Sequence, residues 1–281
     1  MKTGWLIYNS IDAESNKAYI QWMLDEAKRA DIKLEFLLRD RLTIGHLNLS
    51  LTVLYDGEPI SYPDFAIVRT IDPLFTRQLE MIGIRTFNSS IVSEICNNKA
   101  KTHQFLSPLG IPMADTIFYH GEKLDQLAFP FPYPFIVKEV HGRGGKRVYM
   151  IKSEDDIRKI EHLRGTWLLQ KPAVFGKDIR IFVIGQKIIA AVLRQSDIDF
   201  KSNYTLGGRA AIYKLSKSEI ALAEKIIAAF DFGMVGIDFV FHEDGSLLLN
   251  EIEDVVGSRT LSALTDLNIV REYLTFIKKT I

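Results

Sequence analysis

Residues 236–241 (GIDFVF) and residues 247–253 (LLLNEIE) decide how this 281-residue chain folds. Each run is mostly apolar, and the intervening HEDG segment is a turn signal. The pattern predicts a β-hairpin made of two buried strands. Such a hairpin brings Asp238 near Glu251 and Glu253, which are two residues apart and therefore share one face of their strand.

Three carboxylates among apolar side chains repel one another and are poorly solvated. A hard divalent cation is the usual compensation for such a cluster. Mg²⁺ that is held by only a few carboxylates commonly also binds a phosphate group. The predicted hairpin therefore indicates a site for a metal ion and a phosphorylated ligand, of which ATP is the obvious candidate.

The composition of the chain argues against several classes of protein. Apolar residues make up 47% and charged residues 25%, and the formal net charge is zero. This balance gives no electrostatic attraction to nucleic acid or to an anionic membrane. The single cysteine, Cys96, cannot form an intramolecular disulfide, and no apolar run has the length of a transmembrane helix. With no signal-peptide pattern at the start, we expect a soluble cytoplasmic protein.

The chain divides into three parts by its pattern of predicted elements. Strands and helices alternate in residues 1–87, which predicts an open α/β sheet. Residues 88–175 begin with one long helix, 90–109, and continue with strands and two short helices, 123–127 and 154–163. Residues 176–281 contain a hairpin around Gly185-Gln186, an amphipathic helix and the carboxylate-bearing hairpin. In the first part, the predicted strands are 4–9, 33–38, 65–69 and 85–88, the predicted hairpin is 51–61, and the predicted helices are 15–30 and 73–82.

A glycine-rich segment, residues 141–147 (HGRGGKR), lies between two predicted strands. Its glycines allow backbone N–H groups to turn toward an anion, and its basic side chains add positive charge. It is not a Walker A loop, because the GxxxxGK[ST] pattern is absent. It is not a dinucleotide GxGxxG loop either, because no helix follows it. From the residues alone, a phosphate-binding loop and a simple glycine-rich turn are equally good interpretations.

Two lysines and a proline-terminated strand are further candidates. Lys138 ends an apolar run, and the glycine-rich segment that follows it favours a phosphate ligand over an edge-strand lysine that extends to water. Lys99 falls inside the predicted helix, where most lysines are solvated. Residues 167–173 (WLLQKPA) read as a hinge that can contact an adenine, or as a core strand that runs into a linker.

Charged residues also interrupt the hairpin around residues 185–186. Arg180 and Arg194 can face one cavity and bind a carboxylate or phosphate, or one of them can pair with Asp178 across the strands. A polar loop, residues 201–210, follows this hairpin. No Ser-His-Asp or Cys-His set, HExxH or CxxC motif is present.

Taken in chain order, these motifs resemble the ATP-grasp superfamily, most closely the RimK-like carboxylate–amine ligases related to ribosomal-protein glutamate ligase and glutathione synthetase. The resemblance covers residues 88–257, and the order of its motifs makes it specific. The motifs are Asn98-Lys99, Val137-Lys138 with the glycine-rich segment, Leu169-Gln170, Asp178-Ile179-Arg180, Phe200-Lys201-Ser202-Asn203 with Gly207-Gly208, Gly236-Ile237-Asp238 and Asn250-Glu251-Ile252-Glu253.

The resemblance implies an α/β (α+β) protein with an ATP-grasp fold. Residues 1–87 would form an N-terminal open α/β pre-ATP-grasp domain. Residues 88–175 would form the central ATP-grasp subdomain with the phosphate loop. Residues 176–281 would form the C-terminal subdomain with the metal site.

The resemblance also implies a role for each matching residue, and it replaces the interpretation of Lys99 as a solvated lysine. The implied ATP-binding residues are Lys99, Lys138, Gly142, Arg143, Gly144, Gly145, Lys146, Gln170, Lys171, Ala173 and Asp178. The implied ligands of Mg²⁺, with Mn²⁺ as a second candidate, are Asp238, Glu251 and Glu253. Arg194 and Asn203 would stand near the reacting group, and Arg180 would line the substrate side.

The reaction that the resemblance implies has two steps. A substrate carboxylate attacks the γ-phosphate of ATP to give an acyl-phosphate and ADP, and an amine then displaces phosphate to form an amide. The implied partners are small-molecule carboxylate and amine substrates, such as amino acids, or a peptide or carrier-protein terminus. The apolar N-terminal part also suggests a homodimer. The alternatives are an ATP-binding regulatory or interaction module without catalysis, and a purely structural α/β protein.

Three features depart from the family pattern. Glu253 stands where related ligases often have asparagine, and Lys171 stands where an acidic residue is common. Residues 254–259 (DVVGSR) lack the Pro-Gly that often follows the metal motif. We therefore hypothesise that Ser258 and Arg259 reflect an unusual acceptor substrate.

Overall fold

The structure is a computed structural model that describes residues 1–121, 131–142, 147–160, 164–196 and 208–281. The described strands are β1 (Lys2–Tyr8), β2 (Ile32–Leu38), β3 (Leu42–Leu47), β4 (Ser50–Tyr55), β5 (Glu58–Pro59), β6 (Phe65–Val68), β7 (Arg85–Phe87), β8 (Thr116–Gly121), β9 (Phe135–Glu139), β10 (Val148–Ile151), β11 (Gly165–Gln170), β12 (Lys177–Ile184), β13 (Lys187–Gln195), β14 (Arg209–Ile212), β15 (Met234–Phe241) and β16 (Leu247–Glu253).

The described helices are α1 (Ser10–Ser15), α2 (Lys17–Arg29), α3 (Pro73–Met81), α4 (Ser90–Cys96), α5 (Lys99–Leu106), α6 (Glu154–Ile160), α7 (Lys217–Ile227), α8 (Arg259–Leu264) and α9 (Ile269–Thr280). The short helix expected over residues 123–127 lies outside the described residues. Within the described ranges, no helix is both long and apolar enough to cross a lipid bilayer.

The N-terminal part contains the predicted open α/β sheet, with strand order β2-β1-β6-β7 and all neighbours parallel. Strand β6 is buried along its whole length, as expected for a parallel sheet covered on both faces. The carboxyl ends of the four strands lie along one edge, where ligands commonly bind in such sheets. One polar residue directly follows each strand there: Asn9, Arg39, Arg69 and Asn88.

The first part departs from prediction in its small antiparallel sheet, β3-β4-β5. The predicted hairpin of β4 and β5 is present, but β3 was not predicted. Its turn to β4 consists of Asn48 and Leu49, which both have positive φ angles, 47° and 63°. A two-residue turn of this kind normally contains glycine, so the leucine at the second position kept the turn from being predicted. The predicted helix 15–30 is present as α2, and α1, which precedes it, was not predicted.

The prediction of one helix over residues 90–109 is wrong, because Asn97 and Asn98 divide it into α4 and α5. The side chain of Asn97 donates to the carbonyl of Ser93 at 2.8 Å, which closes α4. The side chain of Asn98 accepts from the backbone N–H of Lys101 at 3.1 Å, which caps α5. Lys99 therefore opens a helix instead of lying in the middle of one.

Two further sheets build the rest of the protein. The central sheet has the order β10-β9-β11-β8, with antiparallel neighbours, and α6 packs on one side of it. The C-terminal sheet has the order β14-β13-β12-β15-β16, also antiparallel. It contains both predicted hairpins, which are confirmed. Helix α8, which precedes α9, was not predicted.

One apolar core joins the N-terminal sheet to the C-terminal sheet. It contains Leu6 and Ile67 from the N-terminal sheet, Phe182 from the C-terminal sheet, and Tyr273 of α9. Val256, in the segment after β16, belongs to the same core. The segment that follows the predicted metal strand is therefore packed against the N-terminal sheet.

Candidate active site

Lys99 connects the start of α5 to strand β16. Its Nζ lies 2.8 Å from Oε2 of Glu251 and donates to the carbonyl of Gly142 at 2.6 Å. The Lys99 side chain is only 11% exposed, so it is not the solvated lysine that the helical pattern favours. Burial by itself would raise the pKa of Glu251, but the ammonium groups of Lys99 and Lys138 together hold that pKa below its ordinary value. Lys99 thus links the glycine-rich segment to a predicted metal ligand.

Lys138 projects from β9, which lies between β10 and β11 and is not an edge strand. Its Nζ donates to Oε1 of Gln170 at 2.8 Å and to Oδ1 of Asn250 at 2.9 Å. Burial lowers the pKa of Lys138 to about 8, and Glu251 opposes that shift. Because its two partners are neutral amides, Lys138 keeps its charge available for an anionic ligand.

A β-bulge explains how Asn250 reaches Lys138. In the β15–β16 pairing, Asp238 lies opposite Glu251, but Phe239 lies opposite Leu249. Asn250 is the extra residue of the bulge. The amide of Gln170 is also fixed, since its Nε2 donates to the hydroxyl of Thr116 at 2.9 Å. The sequence motif contains Asn250, but nothing in its pattern revealed the bulge.

Glu251 and Glu253 line one small cavity, as their spacing on the strand predicts. Lys99 and Gly142 are also in its wall. The cavity encloses about 20 Å³, which is room for an ion or a water molecule and not for a nucleotide. Carboxylate oxygens in such a cavity suit a hard cation.

Five charged side chains form a ladder of alternating sign across four neighbouring strands. Arg194 lies between Asp178 and Asp238, with nitrogen–oxygen distances of 2.6 and 2.8 Å. Arg180 binds both oxygens of Asp238 at 2.7 Å and lies 2.5 Å from Oε2 of Glu253. The cross-strand pairing that the sequence allowed for Asp178 is therefore the one observed. We call this set the charge ladder: Asp178, Arg194, Asp238, Arg180 and Glu253.

The charge ladder determines the state of the predicted metal ligands. Burial would raise the pKa of Asp238, but the two guanidinium groups hold it well below its ordinary range. Both oxygens of Asp238 already accept hydrogen bonds, whereas Glu251 and Glu253 face the small cavity. In the described part of the chain, no three acidic, histidine or cysteine residues are arranged as a ready metal site. The metal set thus stays a prediction.

Comparison with known proteins establishes the family. Residues 96–277 match the model of the RimK-like ATP-grasp domain. The chain belongs to the RimK-like ATP-grasp family. The resemblance found in the sequence is thereby confirmed.

Named relatives of this RimK-like ATP-grasp chain are synthases and ligases. Human (Homo sapiens) N-acetylaspartylglutamate synthase A is 31% identical over 249 residues, which cover 81% of this chain and 63% of that protein. Beta-citrylglutamate synthase B of Danio rerio is 32% identical, covering 81% and 61%. A probable alpha-L-glutamate ligase of Legionella pneumophila (strain Corby) is 31% identical, covering 79% and 74%. The chain thus spans less than two thirds of the length of the first two relatives.

Solved structures share the fold at low sequence identity. The RimK domain ATP-grasp protein of Sphaerobacter thermophilus superimposes with a TM-score of 0.73 at 17% identity, covering 99% of both chains. The D-alanine–D-alanine ligase of Bacillus anthracis, complexed with ATP, gives 0.72 at 15% identity, covering 100% of this chain and 97% of that one. The predicted ATP-grasp fold with α/β architecture is confirmed.

Other predicted site residues of this RimK-like ATP-grasp chain remain expectations. Lys171, at the predicted adenine hinge, is exposed and forms an ion pair with Asp115 at 2.6 Å. Ala173 is half-buried two residues further on. The remaining predicted residues lie outside the described residues: Arg143, Gly144, Gly145, Lys146 and Asn203.

Sequence reasoning missed a buried polar cluster beside the charge ladder. The carboxylate of Asp254 accepts from the side chains of Asn88 at 2.6 Å and Asn97 at 2.9 Å. Asn88 also accepts from the backbone N–H of Gly233 at 2.6 Å. Burial raises the pKa of Asp254. The cluster holds the end of β16 against α4. It could not be predicted, because its aspartate and asparagines are far apart in the sequence and form no motif.

Proposed function

We propose that this chain is an ATP-dependent ligase that joins a carboxylate to an amine and releases ADP and phosphate. The observation that carries the proposal is the convergence of Lys99 and Lys138, from separate elements, on adjacent residues of β16. Two lysines beside Glu251 and Asn250 supply the positive charge and the metal-binding oxygens that phosphoryl transfer from ATP needs.

The named relatives support this chemistry. Their names refer to glutamate-containing products, so we propose amino acids, glutamate among them, as substrates here; a peptide terminus is the second candidate. The ATP-grasp ligase PsnB was solved with Mg and ADP, and the Bacillus anthracis ligase with ATP. We therefore propose ATP and Mg²⁺ for this chain, with Mn²⁺ as a substitute, since both metals prefer oxygen ligands.

Residue roles follow from the contacts. Lys99 and Lys138 would neutralise phosphate oxygens, and Gln170 would hold the Lys138 ammonium in place. Glu251 and Glu253 would hold Mg²⁺, which supplies further charge neutralisation at the phosphates when bound.

The substrate side would depend on the charge ladder. Arg180 and Arg194 would stabilise negative charge on the reacting carboxylate, with Asp178 orienting Arg194. The protein needs no nucleophilic side chain for this reaction, because positioning and charge neutralisation are its main contributions.

The test is ADP release with Mg·ATP, L-glutamate as amine, and a panel of carboxylates that includes N-acetylaspartate and citrate. We expect turnover only when both substrates are present, a product mass equal to their sum minus water, and hydroxamate formation when hydroxylamine replaces the amine. EDTA should abolish turnover, and Mg²⁺ or Mn²⁺ should restore it.

Two variants make the test specific. Lys138→Met should abolish ADP release, whereas Lys101→Met should not, because Lys101 pairs with Glu94 on the exposed side of α5. ATP binding without ADP release across the whole panel would contradict the ligase and favour the non-catalytic ATP-binding module.

A further inference from the structure

The break between α4 and α5 carries the chain around the last strand of the C-terminal sheet, β16. Cys96, at the end of α4, belongs to the same apolar core as Ile252 of β16. Glu251 precedes Ile252 on that strand, so its side chain lies on the opposite face. Lys99, at the start of α5, nevertheless reaches Glu251 at 2.8 Å. The chain therefore crosses the edge of β16 between Cys96 and Lys99.

Asn97 ties this crossing to the end of β16. Its Nδ2 donates to the carbonyl of Ser93 in α4 at 2.8 Å and to Oδ2 of Asp254 at 2.9 Å. An asparagine amide has two hydrogens to donate, so one serves the helix and the other serves a residue 157 positions away. Asp254 is only 3% exposed, and its other oxygen accepts from Asn88 at 2.6 Å. The crossing is thus anchored to a buried carboxylate whose own position is fixed.

Lys99 is held directly beyond this anchor. Its backbone N–H donates to the carbonyl of Val140, which follows β9 of the central sheet, at 3.0 Å. Its Nζ lies between Glu251 and the carbonyl of Gly142. A lysine side chain is long and flexible, so its ammonium stays on fixed partners only where its backbone is fixed as well. The backbone of Lys99 is held by the central sheet on one side and by the anchor at Asn97 on the other.

We propose that Asn97 is a positioning residue for this site: it holds the start of α5 so that the Lys99 ammonium stays on Glu251 and within reach of an ATP phosphate. This inference rests on the proposed ligase function, in which Lys99 neutralises phosphate oxygens. Without nucleotide, Lys99 neutralises Glu251 and competes with a metal ion for that carboxylate. Asn97 therefore acts on ATP affinity and on metal affinity in opposite directions.

The test compares Asn97→Ala with the wild-type protein in two binding titrations. ATP affinity, measured by calorimetry at saturating Mg²⁺, should fall about tenfold or more, because Lys99 loses its place at the phosphates. Mn²⁺ affinity without nucleotide, measured by electron paramagnetic resonance, should rise about threefold, because Glu251 is released from Lys99. Lys99→Met should produce the same two changes. A merely structural effect of Asn97→Ala would weaken both ligands.

Asn16→Ala is the matched control. Asn16 closes α1 by the same contact, to the carbonyl of Asp12 at 2.7 Å, and within the described ranges no hydrogen bond joins it to β16. Its replacement should leave both affinities unchanged.

An exchanged pair keeps the test decisive even if Asn97→Ala does not fold. Asn97→Asp alone places two carboxylates together and should weaken ATP binding. Combining it with Asp254→Asn restores one amide–carboxylate hydrogen bond at the same net charge, so most of the lost ATP affinity should return.

A double variant tests whether Asn97 acts through Lys99. In the Lys99→Met background, Asn97→Ala should not weaken ATP binding further. Additive losses of ATP affinity, a fall in Mn²⁺ affinity in Asn97→Ala, or no recovery in the exchanged pair would overturn the positioning role. Opposite shifts of the two affinities without ADP release on any substrate pair would refute only the ligase. Turnover with an unchanged KM for ATP in Asn97→Ala would refute only the positioning role.

Discussion

Replacing Asp238 with asparagine should destabilise the protein strongly, because it removes the negative centre of the charge ladder. Asp238 is 2% exposed and accepts three hydrogen bonds from two arginines. Asparagine has nearly the same volume but only one acceptor oxygen, and its NH₂ group would face guanidinium donors. The variant therefore leaves two largely buried cations with one carboxylate fewer between them.

The free energy of unfolding should fall by about 3–5 kcal/mol, the usual cost of breaking a buried ion pair by removing one partner. Typical domains have a total free energy of unfolding of about 5–15 kcal/mol, so the variant should still fold but be only marginally stable. Asp56→Asn is the matched control. Asp56 also accepts two hydrogen bonds from one arginine, Arg41, but the side chains of Asp56 and Arg41 are 46% and 50% exposed. Its replacement should change stability little, since water screens such pairs.

The assay is urea unfolding at pH 7, followed by tryptophan fluorescence and by circular dichroism. The midpoint of Asp238→Asn should fall far more than that of Asp56→Asn, with similar m-values. The pKa of Asp238 is lowered in the folded protein, so its stabilising effect is complete above the ordinary carboxyl pKa, about 4, and is lost as the pH falls below it. Equal midpoints for the two variants would refute the reasoning.

Three further predictions concern the same region. ATP affinity should fall as the pH rises through about 8, because Lys138 loses its ammonium charge near its lowered pKa of about 8; Lys138→Arg should remove this step in a binding titration. Gly236→Ala should lower the free energy of unfolding by about 1–3 kcal/mol through overpacking, because the new Cβ would lie 2.7 Å from the side chain of Val256. Gly45→Ala is the control: its Cβ would meet no atom within 4 Å, so the thermal unfolding midpoint should not change. Asn88→Ala should lower the free energy of unfolding by about 1–3 kcal/mol, since it leaves buried polar groups without partners. An unchanged unfolding midpoint would contradict a stabilising role for Asn88.

The fold was largely predictable because its signals are local. Alternating strands and helices predicted the open α/β sheet, and both C-terminal hairpins followed from apolar runs around turn residues. The failures occurred where side chains override the local pattern. Asn97 and Asn98 cap helices only when their side chains turn to the backbone, and the Asn48-Leu49 turn uses a leucine at a positive φ angle.

The candidate site was predictable as a set of residues but not as a set of contacts. The order of the motifs was enough to select Lys99 and Lys138. The partners of these lysines depend on the bulge at Asn250 and on the break before α5, which are properties of strand register and helix capping.

The alternating charges of the charge ladder have a consequence for how this protein can change over evolutionary time. The ladder holds three acidic and two basic side chains, each neutralised by the next across the sheet. A single substitution that alters one of the inner charges leaves its neighbour unbalanced in a buried setting. Substitutions at the inner positions should therefore be inherited in compensating pairs, whereas Glu253, at the end of the ladder and 27% exposed, can become asparagine alone, because Arg180 keeps both oxygens of Asp238.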